Sequence, residues 1–110
     1  MPYINEESRS NLDDYIDKMV RCIKSNAKRV VNKHLTDNDL SNEEFLSIAG
    51  DINYVFSRIL GQLMRPVSYG KIAMITGVLE NIKQEFYRRV AEKYEDSKIL
   101  THGDIKEYKS

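Results

Sequence analysis

SYGKIAMITGVLENIKQEFYRRVAEKY, residues 68–94, decides the fold of this 110-residue chain. Ile72, Ile75, Leu79, Ile82, Phe86 and Val90 recur at steps of three and four, which places them in one apolar stripe along an α-helix. Ser68 is a suitable N-cap, and Pro66 prevents the preceding helix from running straight through. At 1.5 Å per residue such a helix is roughly 40 Å long, about the span of a small domain. A second seam, Ala73, Gly77, Gln84, Tyr87 and Ala91, carries residues small enough to admit another backbone and one ring with a hydroxyl. A helix with two usable faces is either central to its own bundle or shared with another chain. The plainer reading makes it a core helix, with Phe86 inside.

Composition narrows the class. Charged residues make up 31% and apolar residues 41%, the ordinary balance of a globular chain. Net charge is zero, so no bulk electrostatic pull toward nucleic acid or a membrane is expected. No apolar run approaches the ~20 residues that span a bilayer, and the acidic N-terminus does not read as a signal peptide. The one cysteine, Cys22, lies beside an apolar stripe and reads as a small buried hydrophobe in a reducing, cytoplasmic setting.

The rest of the chain is helical by pattern. Residues 1–9 read as an extended arm whose Tyr3 should dock somewhere. Ser10 to Asp13 resembles a capping box, followed by helical apolar spacing from Leu12 to Val31, so a first helix is expected over about 10–34. Thr36–Asp39 is a turn by composition. Ser41 to Glu44 is a cleaner capping box for a second helix, about 42–63, with Gly50 either tolerated inside it or marking a break before Asp51. The third helix runs about 69–95. The tail, 96–110, loses periodicity and turns at Gly103, with Ile99, Leu100, Ile105 and Tyr108 available to pin it to the surface. These elements predict one all-α domain over 1–110, an antiparallel three-helix bundle or an open helical hairpin completed by oligomerisation.

Chemistry-bearing patterns are few. His34 and His102 belong to no metal-ligand spacing, so no metal is expected, and His34 with Asp37 suits a helix end. No nucleophile–base grouping, phosphate loop or dinucleotide fingerprint is present, so no cofactor and no catalysis are expected. Lys18, Arg21, Lys24, Lys28, Arg29 and Lys33 follow one another without an acid, and Arg21, Lys24 and Lys28 share a face that could meet phosphates. The competing reading is a solvated face offset by the acids between Asp37 and Asp51.

The densest polar cluster lies at the end of the third helix. Glu85 with Arg89, and Arg88 with Glu92, are i, i+4 pairs. Tyr87 and Tyr94 stand seven residues apart, two turns along one face. Tyrosines beside arginines can stack a base and hold a phosphate, and the same residue types make subunit interfaces.

MPYI at 1–4, GDINYVFSRIL at 50–60 and the block from Ser68 to Ile105 resemble a family of short all-helical proteins common in phage and bacterial genomes. The likeness covers roughly 1–24 and 50–105, with EFYRRV and YEDSKI its most specific blocks. Residues 25–48 read as an insertion, and Lys93 and His102 depart from the proline and asparagine that members often carry. The resemblance implies that Asn53, Tyr54, Glu80, Tyr87, Arg88, Arg89, Tyr94, Glu95, Lys98 and Asp104 are kept for more than packing. It further implies a small non-catalytic phage-type binding protein, similar in design to the anti-defence sponges that sequester a nucleotide immune signal between subunits.

The expected ligand is therefore a cyclic oligonucleotide or an ADP-ribose derivative, held by Tyr87, Arg88, Arg89 and Tyr94. The tail would fold over the site, bringing Lys98 and Asp104. The chain is expected to be a homo-oligomer. The alternative is a protein–protein module that blocks a host defence or phage protein through its apolar seam. A weaker one is nucleic-acid binding through the first helix.

Overall fold

The computed structural model of the chain describes residues 3–30 and 39–109. The fold is all-α: among the described residues there are five α-helices, a π turn and a 3-10 turn, and no strand. The His34 and Asp37 pair and the start of the Thr36 turn lie outside the described residues. Two compact units divide the chain, residues 4–66 in one and Tyr3 with residues 67–109 in the other.

In the first unit, α1 spans Glu6–Val30. It starts four residues before the expected position because Asn5, not Ser10, caps it. The Asn5 Oδ1 accepts from the Ser8 N–H at 2.9 Å, and Glu6 and Glu7 sit where the helix dipole favours acids. Helix α2, Asn42–Ser47, opens with the expected capping box: Ser41 Oγ accepts from the Glu44 N–H at 3.2 Å, while Glu44 Oε1 accepts from the Ser41 N–H at 2.9 Å. The second helix breaks at Ile48, and α3 restarts over Ala49–Leu63, leaving Gly50 inside its first turn.

The buried material of this unit sits where α1 meets α2. Ala27 and Ile48 are its buried apolar side chains. Beside them Lys28 and Glu44, 2% and 3% exposed, form an ion pair at 3.4 Å, and Lys28 Nζ also donates to the Asp39 carbonyl at 3.1 Å. The Ser41 N–H holds the Glu44 carboxyl below its usual range, helped by the Ser41 side chain and by Lys28 against the penalty of burial. Cys22, expected inside, is exposed: it lies more than one turn before the buried Ala27.

The second unit is one long helical rod. Ser68 caps it as expected, its Oγ accepting from the Lys71 N–H at 3.2 Å. The rod comprises α4, Tyr69–Phe86, the π turn, Tyr87–Ala91, and α5, Glu92–His102. The expected end near 95 is too early. Residues 96–102 continue the rod beyond the π turn and stay helical without any apolar period, with His102 in the last turn. Gly103 ends the helix at φ +82°, a left-handed conformation that glycine adopts at least cost. Ile99, Leu100, Ile105 and Tyr108 are all exposed, so the end of the chain is not pinned down by them.

No described residue of 67–109 is buried. Phe86, expected in a core, is 62% exposed, and nothing lies within 4 Å of where a Gly77 side chain would begin. The apolar stripe exists as spaced, but nothing in its unit covers it.

Replacing Ile48 with Ala should destabilise the first unit by about 2–5 kcal/mol, measured by denaturant unfolding. Lys28→Ala should lower the melting temperature as well, because it strands the Glu44 carboxylate, whereas Lys24→Ala should leave it nearly unchanged.

Candidate functional site

Glu85 is the centre of the one dense side-chain network of the second unit among the described residues. On a helix, positions i+3 and i+4 both flank position i, so Arg88 and Arg89 both reach it. Arg88 Nη2 donates to both carboxylate oxygens, at 2.8 and 2.9 Å, and Arg89 Nε donates to Oε1 at 3.1 Å. The expected Arg88–Glu92 pair is thus replaced by a forked contact one turn earlier. Tyr3 completes the set from the N-terminal arm: its hydroxyl donates to Glu85 Oε1 at 2.7 Å and accepts from Arg89 Nη2 at 3.0 Å. The Arg89 guanidinium also lies over the Tyr3 ring, 5.9 Å from its centroid. The aromatic of the arm therefore docks, as its position suggested.

Four donor contacts on one carboxylate favour its charged form. The Tyr3 hydroxyl, then Arg88 and Arg89, lower the Glu85 pKa from 4.5 to about 2. Glu85 in turn raises that of Arg88.

The π turn resets the faces of the helix beyond it. Its Glu92 N–H bonds to the Tyr87 carbonyl, one residue farther than in an α-helix. That extra residue rotates everything beyond it by about one position. Residues seven apart across the turn no longer superimpose, and residues eight apart do. Accordingly Tyr87 donates its hydroxyl to Glu95 Oε1 at 3.0 Å, and that hydrogen bond raises the Tyr87 pKa. The expected pairing of Tyr87 with Tyr94 on one face fails for this reason. Tyr94 instead meets Lys98, whose ammonium stands 5.3 Å from the ring centroid.

A concavity of about 640 Å³ lies beside the network. Its carboxylates are Glu80, Glu85 and Glu92, its cations Lys83 and Arg88, its rings Tyr3 and Tyr87, with the amides of Asn81 and Gln84 between them. Three acids against two bases leave it slightly negative. Of the six residues read as a ligand site, Tyr87 and Arg88 line this concavity and Arg89 joins it through Glu85. Tyr94 and Lys98 form their own pair. Asp104 turns back on the backbone, its Oδ1 accepting from the Ile105 N–H at 2.8 Å, since the helix carries the chain onward instead of folding it over the site.

Tyr3 and Glu85 are the residues that spacing did not assign to the site. Glu85 was visible as an ion-pair partner, and Tyr3 as an aromatic on an arm, but 82 positions separate them. The basic face of the first helix also loses a member, since Lys28 is buried against Glu44.

A family model described as a domain of unknown function, DUF6899, matches residues 1–105. No curated protein and no solved structure matches the chain.

Acid should release the arm. The lowered Glu85 pKa contributes stability that is complete above the unfolded value near 4.5 and disappears as pH falls through about 2. Tyr3 ring resonances should shift toward their free positions across that window. In Glu85→Gln they should sit near the free positions at neutral pH, with no transition.

Proposed function

The chain belongs to the DUF6899 family, and we propose that it is a non-catalytic protein-binding module whose working surface is the apolar stripe of the 69–102 rod. One observation carries this reading: Ile72, Leu79, Ile82, Phe86 and Val90 are exposed and Ile75 only half-buried on a helix with no buried residue. Seldom does a free protein leave so large a continuous apolar strip in water. Their own helix already covers about half of each side chain, so covering the rest is worth roughly 1 kcal/mol apiece, which over six of them is enough to drive association. The Tyr3–Glu85–Arg88–Arg89 network then rigidifies one edge of the stripe.

A nucleotide-binding reading draws on the concavity beside Tyr87 and Arg88. There an anion competes with Glu85 for both arginines, so binding would be weakened by the carboxylate already in place. Calorimetry with cyclic oligonucleotides and ADP-ribose derivatives tests it. The reading requires Glu85→Gln to tighten binding about tenfold and Arg88→Ala with Arg89→Ala to remove it. No heat with any of them, in the native chain or in Glu85→Gln, contradicts it.

The protein-binding reading is tested by charge on the stripe. Leu79→Glu and Ile82→Glu should each lower thermal stability by at least about 2 kcal/mol, because a covered interface must bury the new carboxylate. Were the stripe a solvated surface, both changes would fall within about 0.5 kcal/mol.

A further inference from the structure

The stripe has a more specific form than apolar. From Ile72 the steps to Ile75, Leu79, Ile82 and Phe86 are three, four, three and four, the heptad alternation of a coiled-coil seam. An uninterrupted α-helix would next place Arg89 and then Lys93 in that seam, ending it after two heptads. The π turn, Tyr87–Ala91, inserts one residue at that point. Val90 and Tyr94 thereby take the positions that Arg89 and Lys93 would have held. The Tyr87–Glu95 hydrogen bond, spanning eight residues where seven would be usual, records the same shift independently. Arg88 and Arg89, turned away from the seam, are the residues bound to Glu85.

We propose that this seam, Ile72 to Tyr94, is a coiled-coil interface and that its occupant is a second copy of the same chain. This rests on the reading of the stripe as a binding face. Knobs-into-holes packing requires a partner with the same 3-4 period, and this rod carries it over about six turns. Seven seam side chains, six exposed and one half-buried, offer on the order of 800 Å² per chain with their flanking atoms, the area of a standard stable interface. The rod's charges do not oppose pairing, since Glu80, Glu85, Glu92, Glu95 and Asp96 nearly balance Lys71, Lys83, Arg88, Arg89, Lys93 and Lys98. A self-complementary patch closes under two-fold symmetry. Successive isoleucines also permit a higher closed multiple of the same seam.

Light scattering on the full chain at tens of micromolar should give twice the 12.8 kDa chain mass, or a higher whole multiple. The melting temperature should rise with protein concentration, which holds whether or not any variant folds. Leu79→Glu, in the seam, should weaken association about a hundredfold or more, while Met74→Glu, apolar and exposed but outside the heptad positions, should leave the mass unchanged. A native mass of 12.8 kDa with a concentration-independent melting temperature overturns the proposal. If Leu79→Glu still destabilises that monomer, the stripe is a covered face and only the second copy is wrong. If it does not, the stripe is solvated in the free chain, and neither a second copy nor the chain itself covers it. Equal dissociation by Met74→Glu and Leu79→Glu would overturn the heptad seam.

Discussion

A helix in water must cover its apolar side chains or lose the main force that keeps it folded, because backbone hydrogen bonds alone leave isolated helices marginal. The rod from Tyr69 to His102 has strong local signals: a serine cap at its start and a glycine stop at its end. Those signals explain why it is helical. They do not explain its stripe of isoleucine, leucine, phenylalanine and valine, which contributes to stability only when something lies against it. The demand for a covering surface is the constraint on which the rest of the second unit depends.

The π turn gains its meaning from that constraint. A π turn is less favourable than continued α-helix and is retained where the extra residue serves a purpose. Here it separates two sets of side chains that a straight helix would mix. The seam keeps Val90 and Tyr94, and the paired arginines turn to Glu85 and the arm. Ion pairs at exposed sites are individually weak, yet this carboxylate takes three partners from two stretches of chain. The arm is thereby tied to the point where the rod changes its winding.

The same division separates what was legible in the chain from what was not. The helices were readable because capping and spacing are local: Ser41, Ser68 and Gly103 act where their residue types indicate. The helical stretch 96–102 was not readable from periodicity, since a helix with no buried face has none to show. The shared face of Tyr87 and Tyr94 assumed an unbroken 3.6-residue turn, and one inserted residue undid it. Tyr3 and Glu85 stood far apart in sequence, and no local rule pairs residues 82 positions apart. Spacing puts Phe86 on an apolar face but does not say which molecule covers that face.

Amide hydrogen exchange on the full chain reads that cover residue by residue. The account predicts that amides from Ile72 to Tyr94 exchange as slowly as those around Ala27, because a packed seam opens only with the whole assembly. Rapid exchange along that stretch, at the rate of a solitary helix, with protection kept at Ala27 would contradict it.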